Sequence, residues 1–414
     1  MLRILSILIL GLLIIGCTAQ TTEPTPLQVV ETEAPVPSNT SPPEDTSTPT
    51  GEPSPTLEPP TPTAEPSSTP TTESQVEDAW LAFTSPDNNL WIMNLSNGES
   101  LALTEDAVPF QSNAEQETIS YCCAQWSSDG SLLTYRREVG TPVTGGFEYS
   151  YSLWVYDRAT GESRAVLEDQ LVMGYAWKPG EHLIAYGLPI ETEYFLGNRP
   201  ELANGIWVVD VDSGKTSELV PPQRDITLVW PVWSPDGRFL SFDEILYMEG
   251  RGQFAYFDFE AQEYFAWDEV IGGYDWSPDG EIIAYDTLGY VAGGSERIWL
   301  RDRKGERTQP FSPVLDPGYA SNPIFSPQGE RIAYKAGMGG PETPQYTLIV
   351  QDIGSDEPRE LGNFEQVSEL FWSADGTRLI FTAGPYENRE IVEVLIDDRS
   401  ITTLSEGSQP ALQP

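Results

Sequence analysis

Histidine, cysteine and basic residues are scarce in this chain of 414 residues. It has one histidine, three cysteines, and 22 lysines and arginines against 64 aspartates and glutamates, so its formal net charge is −42. Nucleic-acid phosphates and anionic lipid headgroups are bound by clustered lysine and arginine, so this charge balance argues against both partners. A Ser-His-Asp triad would have to use His182, and neither a Gly-x-Ser-x-Gly nor a His-Glu-x-x-His segment occurs. The chain therefore lacks these common motifs of hydrolases.

A hydrophobic run long enough to span a membrane is also absent. The apolar run from Ile4 to Ile15, preceded by Arg3, is too short for a transmembrane helix and is typical of a signal peptide. It ends in Ile14-Ile-Gly-Cys17, which resembles the lipobox of bacterial lipoproteins. The resemblance implies that residues 1–16 are removed and that Cys17 is lipidated, which would hold the protein in the bacterial cell envelope on the extracytoplasmic side of a membrane. The alternative is an uncleaved signal anchor with a chance cysteine.

Aromatic and basic residues are missing between Thr18 and Glu77, a stretch made mostly of threonine, proline, serine and glutamate. Such a composition buries too little apolar surface to offset the entropy of ordering the chain. We therefore expect residues 17–77 to be a lipidated cysteine followed by a disordered linker rich in proline and threonine. The linker is either an extended stalk, with or without O-glycosylation, or a passive tether.

A ten-residue phrase recurs six times in the rest of the chain, at intervals of 43 to 56 residues. The copies begin at Trp126, Trp177, Trp233, Trp276, Phe325 and Trp372. One copy reads Trp276-Ser-Pro-Asp-Gly-Glu-Ile-Ile-Ala-Tyr285, in which Ser-Pro-Asp-Gly suits a tight turn and the apolar residues suit a strand. Periods of this length indicate a repeat fold whose units share one core, so we expect the tryptophans that open these copies to be buried.

A second hairpin element occurs seven times, once more than the phrase. The extra copy is Leu90-Trp-Ile-Met-Asn-Leu-Ser-Asn-Gly-Glu99, in a repeat that has no inner strand of its own. We predict that residues 409–414 supply this strand. The result is an all-β, seven-bladed β-propeller over residues 78–414, closed by pairing of the chain ends. The alternative is six blades and a stray hairpin.

The phrase resembles the PD40 repeat, also called the WD40-like repeat, of the TolB-like propellers. The resemblance covers nearly all of residues 78–414 and implies the propeller fold. It implies less about function, because this repeat serves scaffolds, periplasmic binding proteins and propellers associated with peptidases. Two copies depart from the pattern, with Gly180-Glu181 where Asp-Gly is usual and Gln328 in place of Asp.

Long connections are expected to gather on one face of the ring, where binding residues concentrate. We expect such loops at residues 105–120, 136–150, 187–204, 243–251, 286–296 and 335–344. Aromatic residues beside acids on this face suit contact with a protein or a glycan. The candidate ligand-binding residues are Tyr194, Phe195, Asp243, Glu244, Tyr247, Asp286, Tyr290 and Tyr386. The alternative is ordinary surface loops.

Cys122 and Cys123 are adjacent in the strand that leads into Trp126. They form either a vicinal disulfide, which requires an oxidising compartment, or two small apolar core residues. We expect no metal site, because Asp210-Val-Asp212-Ser-Gly214 only faintly resembles a calcium loop and offers too few ligands. No cofactor is expected, and His182 is interpreted as structural.

These features favour a membrane-anchored propeller lipoprotein that acts as a non-catalytic binding or scaffold module. The expected partner is an extracytoplasmic protein or a cell-envelope glycan. The membrane is contacted through the lipid anchor alone, and no nucleic acid is expected. We thus predict that the chain is not an enzyme. The alternatives are a carbohydrate-active or hydrolytic enzyme that uses carboxylates on the rim, and a solute sensor.

Overall fold

The computed structural model describes residues 79–110, 116–189, 204–222, 226–245, 253–287, 297–305, 308–315, 318–338 and 345–414. In these ranges the chain forms 28 β-strands and no helix. A helix of membrane-spanning length and hydrophobicity is accordingly not found in the described segments. The predicted signal peptide and linker, at residues 1–77, lie outside the described residues.

The strands form seven sheets of four strands each. Blade 1 contains β1 (Trp80–Thr84), β2 (Leu90–Asn94), β3 (Ser100–Ala102) and β28 (Ser408–Leu412). Blade 2 contains β4 (Thr118–Trp126), β5 (Leu132–Val143), β6 (Gly146–Asp157) and β7 (Glu162–Leu167). Blade 3 contains β8 (Tyr175–Trp177), β9 (Leu183–Gly187), β10 (Ile206–Asp210) and β11 (Thr216–Val220). Blade 4 contains β12 (Thr227–Trp233), β13 (Phe239–Ile245), β14 (Gln253–Asp258) and β15 (Glu263–Ala266).

The remaining three blades repeat this order. Blade 5 contains β16 (Ile271–Trp276), β17 (Ile282–Thr287), β18 (Ile298–Asp302) and β19 (Thr308–Pro310). Blade 6 contains β20 (Tyr319–Phe325), β21 (Arg331–Met338), β22 (Gln345–Asp352) and β23 (Arg359–Glu365). Blade 7 contains β24 (Val367–Trp372), β25 (Arg378–Ala383), β26 (Glu390–Leu395) and β27 (Ile401–Glu406). Neighbouring strands within every blade are antiparallel, so the all-β, seven-bladed prediction is confirmed.

The two ends of the propeller meet in blade 1, as predicted. Strand β28 pairs with β1, with Leu412 opposite Leu81 and Ala411 opposite Ala82. The indole Nε1 of Trp126, in blade 2, donates a hydrogen bond to the carbonyl oxygen of Ala411 at 3.0 Å. The closing strand is thus joined to both the first and the second blade.

The repeated serine, aspartate and glycine of the phrase build one turn. In the first copy the hydroxyl of Ser127 accepts from the N–H of Leu132 at 3.0 Å and donates to Asp129 at 2.6 Å. Gly130 has a φ of 66°, a conformation that glycine adopts without steric cost. The same serine-to-aspartate hydrogen bond forms in the copies that begin at Trp233, Trp276 and Trp372, so these residues determine the geometry of the first hairpin in four of the blades.

The tryptophans that open five copies of the phrase are buried between blades, as predicted, with exposed fractions of 2% to 8%. Several of them also hydrogen-bond to the preceding blade. Nε1 of Trp177 donates to the carbonyl of Gln125 at 3.1 Å, and Nε1 of Trp372 donates to that of Ile324 at 3.3 Å. These side chains combine apolar burial with a directional bond, which fixes the register of one blade against the next.

The predicted loop at residues 136–150 is wrong, because this stretch is a long hairpin. Strands β5 and β6 pair along their whole length, from Leu132 opposite Asp157 to Val143 opposite Gly146. Alternate residues of β6 place Phe147 and Tyr149 on one side, with ring centroids 6.2 Å apart.

Candidate functional site: the central channel

The inner strands of the blades, β28, β4, β8, β12, β16, β20 and β24, surround the axis of the ring and line two neighbouring cavities. The larger one, here the channel cavity, has a volume of about 550 Å³ and is lined by β28, β4, β8, β12 and β24. The smaller one, here the side recess, has a volume of about 170 Å³ and lies among β16, β20, β21 and β24.

Most inner strands carry a bulge at the same place, three residues before the phrase or its equivalent in β28. The residues there have left-handed backbone angles, with φ of 66° at Cys123, 78° at Gly174, 52° at Trp230, 53° at Asn322, 46° at Glu369 and 55° at Gln409. A left-handed angle at a residue other than glycine costs on the order of 1–3 kcal/mol, and such residues concentrate at functional sites. Cys123, Glu369 and Gln409 line the channel cavity and Asn322 lines the side recess, so the bulges place varied side chains at the axis.

The wall of the channel cavity is mainly apolar. It includes Ala124, Val232, Phe371 and Pro410, together with parts of the inter-blade tryptophans. Among the residues that line it, Glu369 is the one with an ionisable carboxyl group, and its side chain is exposed. An apolar cavity with a few convergent polar groups is the usual form of a ligand site.

The side recess contains a half-buried lysine, Lys335, and Glu369 lines this recess as well as the channel cavity. The Nζ of Lys335 donates to the carbonyl of Val367 at 2.9 Å and lies 4.9 Å from the ring centroid of Tyr346. Burial lowers the pKa of the Lys335 ammonium, and the carboxylates of Asp286 and Glu369 oppose this shift. The recess therefore brings a cation and two acids from three successive blades to the axis.

Asp286 is buried beside this recess and bridges two blades. Its Oδ2 accepts from the N–H groups of Gly273 and Asn322, both at 2.9 Å. A Cβ atom on Gly272 would lie 1.5 Å from Oδ1 of Asp286, so only glycine fits at that position. The carboxylate thus takes backbone donors of the adjacent inner strands, β16 and β20.

Asp275 is a half-buried acid of the neighbouring inner strand, β16. Its Oδ2 accepts from the N–H of Phe325 at 2.8 Å, and its Oδ1 accepts from the N–H of Trp276 at 3.0 Å. Burial raises the pKa of Asp275 to about 7, although both backbone hydrogen bonds lower it. A carboxyl group that titrates near neutral pH is uncommon and occurs often at functional sites.

The described candidate residues from the sequence lie in different surroundings. Asp243 and Glu244 are in β13 and Asp286 is in β17, and all three are buried within strands where loops were expected. Tyr386 lies in a turn and is 79% exposed, with the guanidinium carbon of Arg389 4.7 Å from its ring centroid. Of these residues, Asp286 lies beside the side recess, and the role of all four in ligand contact stays a prediction.

The other candidates, Tyr194, Phe195, Tyr247, Tyr290 and the lipidation site Cys17, lie outside the described residues.

The faint calcium-loop segment is a turn. Oδ1 of Asp210 accepts from the N–H of Ser213 at 2.8 Å, and Asp212 lies 3.2 Å from Nδ1 of His182. Within the described ranges, no group of three or more histidine, cysteine, aspartate or glutamate side chains is arranged to hold a metal ion. His182 also lies 3.4 Å from Asp129, and it therefore links the turns of blades 2 and 3.

Comparison with curated proteins gives a short match. No protein-family model matches the chain. Dipeptidyl-peptidase 5 from Trichophyton equinum is 31% identical over 98 residues, which make up 23% of this chain and 14% of that protein. The matched part is thus a small fraction of the length of that relative.

Solved structures match over most of the propeller. A structure from a study of two prolyl endopeptidases is 13% identical, covers 77% of this chain and 46% of that chain, and has a TM-score of 0.56. An oligogalacturonate lyase in complex with manganese is 13% identical and has a TM-score of 0.55. The match covers 78% of this chain and 83% of the lyase chain. TolB from Acinetobacter baumannii also matches, at 16% identity and a TM-score of 0.47. At such identities the likeness concerns the fold, which is the one that the PD40 resemblance implies.

The prediction that the chain is not an enzyme is contradicted by these comparisons. The curated relative is named as a peptidase, and the propeller fold is shared with a prolyl endopeptidase and a lyase. Missing hydrolase motifs in the sequence therefore do not exclude catalysis, because this fold carries both enzymes and binding proteins.

Proposed function

We propose that this protein is an extracytoplasmic, membrane-anchored binding module whose channel cavity holds a polypeptide segment with an apolar side chain next to a cationic group. The observation that carries the proposal is the single carboxylate, Glu369, on the wall of an otherwise apolar cavity of about 550 Å³. Apolar walls favour burial of an aliphatic or aromatic side chain, and the carboxylate favours an ammonium or guanidinium group beside it.

The charge of the whole chain supports a cationic ligand. A formal net charge of −42 attracts positively charged partners and raises their association rate at low ionic strength. The partial match to a dipeptidyl-peptidase and the fold shared with a prolyl endopeptidase support a ligand of peptide nature, because both proteins are named for acting on peptides. The proposed location rests on the sequence of residues 1–17, which resembles a lipoprotein signal.

A hydrolytic or carbohydrate-active enzyme is the second candidate. The side recess favours it, because Lys335, Asp286 and Glu369 provide a half-buried cation and two acids close to the channel cavity. Burial lowers the pKa of Lys335, which moves the amine toward the neutral form that accepts a proton. The shared fold with an oligogalacturonate lyase also supports this candidate.

Replacing Glu369 by glutamine tests the proposed ligand. The probes are short synthetic peptides that pair phenylalanine with arginine, and matched peptides with citrulline in place of arginine. Binding to the full chain can be followed by tryptophan fluorescence, since Trp126, Trp177 and Trp233 border the cavity. We expect Glu369→Gln to weaken the binding of the arginine peptides by about tenfold, because a charge-assisted hydrogen bond contributes roughly 1.5–3 kcal/mol to the binding free energy.

The matched control is Glu365→Gln, an exposed acid on β23 outside both cavities. It should leave binding unchanged, and the citrulline peptides should bind both variants equally. Equal weakening by the two substitutions would show that net charge, not the cavity, governs binding, and would contradict the proposal. Mass spectra of the recovered peptides distinguish the two candidate functions. Intact peptides indicate binding without reaction, and fragments indicate hydrolysis.

A further inference from the structure

Cys122 and Cys123 are joined by a disulfide on the inner strand of blade 2. Two alternatives were open from the sequence, and the structure shows the vicinal disulfide. Cys123 occupies the left-handed bulge position, with a φ of 66°. Its N–H donates to Oε1 of Gln409 at 3.1 Å, and its carbonyl accepts from the hydroxyl of Tyr175. The bridge therefore lies where the closing strand, blade 2 and blade 3 meet.

This disulfide contributes little to stability by cross-linking. A disulfide stabilises a fold mainly by restricting the unfolded chain, and its effect grows with the number of residues in the closed loop. Cys122 and Cys123 are separated by one position, so no residue lies between them. At the same time, the left-handed backbone of Cys123 has an energetic cost. The presence of this disulfide is therefore better explained by a redox role than by stabilisation of the fold through cross-linking.

The two sulfur-bearing residues differ in their surroundings. Cys123 lines the channel cavity, whereas Cys122 is not among the residues that line it. Cys122 lies directly opposite Arg136 in the β4–β5 pairing, and side chains opposite each other in an antiparallel pair share one face. The Nε of Arg136 is buried without a hydrogen-bond partner in the described structure. A buried guanidinium donor thus lies on the same face as one of the two cysteines.

We propose that Cys122–Cys123 is a redox-active disulfide that exchanges with a thiol entering the channel cavity. The incoming thiolate attacks Sγ of Cys123 and forms a mixed disulfide. The Cys122–Cys123 bond breaks, and its electron pair leaves on Sγ of Cys122 as a thiolate beside Arg136. A second thiol of the reductant then attacks the mixed disulfide, releases the oxidised reductant, and leaves two cysteine thiols after protonation by water. The substrate class is a thiol reductant small enough to enter the cavity.

Arg136 is a positioning residue in this proposal. A guanidinium beside a thiolate lowers the pKa of the thiol, and a thiol of lower pKa is a faster leaving group. Arg136→Gln should therefore slow reduction severalfold, and Arg136→Lys should restore part of the rate.

Reduction of the full chain under native conditions tests the proposal. The protein is titrated with dithiothreitol, alkylated and mapped by mass spectrometry, which separates the Cys122–Cys123 peptide from that of Cys17. We expect the pair to open while the melting temperature stays nearly constant, since no loop is released. Alkylation of the pair only after unfolding in guanidinium would overturn the proposal. Loss of the folded state upon reduction would also overturn it, because the bridge would then be structural.

Two single substitutions test the direction of attack. Cys122→Ser leaves the Cys123 thiol at the cavity, and Cys123→Ser leaves the Cys122 thiol beside Arg136. Incubation with oxidised glutathione should give a mixed disulfide faster at Cys123, and equal rates or the reverse order would contradict attack from the cavity. The pH dependence of alkylation in Cys123→Ser should shift to higher pH when Arg136→Gln is added. An unchanged profile would remove Arg136 from the mechanism.

Discussion

Phe325 opens the one copy of the phrase that has no tryptophan. The side chain of Asp275 forms a hydrogen bond between blades at this position. In three other copies the tryptophan donates from its indole to a carbonyl of the preceding inner strand, as Trp177 does to that of Gln125. Phenylalanine has no such donor. Between blades 5 and 6 a side chain of the preceding blade is the acceptor. The carboxyl group of Asp275 in blade 5 accepts from the backbone N–H of Phe325 in blade 6. One substitution in the repeat is therefore compensated by an acid in the neighbouring blade.

Asp275→Asn should change the pH dependence of stability. Its pKa of about 7 in the folded state exceeds the ordinary aspartate value of about 3.9. The stabilisation linked to its proton is therefore complete below about pH 4 and is lost as the pH rises through 7. Asparagine does not titrate, so the melting temperature of the variant relative to the wild type should rise between pH 5 and pH 8. Thermal unfolding followed by circular dichroism measures this difference.

Asp279→Asn is the matched control for that experiment. The hydroxyl of Ser277 holds the pKa of Asp279 below its ordinary value, so this acid stays ionised across the same pH range. Its substitution should change stability by a constant amount from pH 5 to pH 8. A constant difference for Asp275→Asn as well would contradict the assignment.

The residues of the channel were not predictable from the repeat. The bulge position carries Cys123, Gly174, Trp230, Gly273, Asn322, Glu369 and Gln409 in the seven blades. Glycine occurs twice there and each of the other five residue types once, because this position lies at the axis and does not share the repeated packing between blades. The tryptophans that open the phrase were predictable for the opposite reason, since each one fills the same space between two blades.

The long β5–β6 hairpin shows where strand prediction failed at the scale of elements. Gly140, Pro142, Gly145 and Gly146 give this segment the composition of a loop. In the structure Gly140 makes room for aromatic rings, since a Cβ there would lie 2.9 Å from the ring of Tyr149 and 3.3 Å from that of Phe147. Glycine covered by a cross-strand aromatic residue is compatible with a strand, and local composition does not reveal such a pairing.

Removing residues 408–414 should destabilise the propeller. The deletion takes away strand β28, its pairing with β1 and the acceptor of the Trp126 indole. We expect the melting temperature to fall by about 5 °C or more, which corresponds to a loss of a few kcal/mol. Scanning calorimetry measures the shift. Removal of the exposed Pro414 alone is the control, and an unaltered melting temperature for the longer deletion would be incompatible with closure by this strand.

At the scale of the whole molecule, the architecture was predictable and the activity was not. The recurring phrase and the extra hairpin near Leu90 were enough to predict seven blades, because the period and the turn chemistry constrain the backbone directly. The proposed site is formed by side chains that come from distant parts of the chain, such as Asp286, Lys335 and Glu369. A site whose residues are far apart in the sequence leaves no motif within any short segment.

Cys17→Ala tests the proposed membrane anchor. Expressed in a bacterial host, the wild-type chain should sediment with membranes and partition into detergent, because two or more acyl chains give stable anchoring. The variant should appear in the soluble fraction, as measured by immunoblotting. Thr18→Ala is the control and should stay with the membranes. Retention of Cys17→Ala in the membrane fraction would contradict lipidation.

The closing strand also has a consequence for synthesis on the ribosome. The contact between Trp80 and Gln413 joins residues 333 positions apart, so the first blade to emerge is the last to be completed. At about 5–20 residues per second, β1 waits between roughly 15 and 70 s for its inner partner. During this interval the edge that bears Leu81 and Ala82 is available to strands of other nascent chains. This edge therefore stays open to such pairing until residues 408–412 have been synthesised.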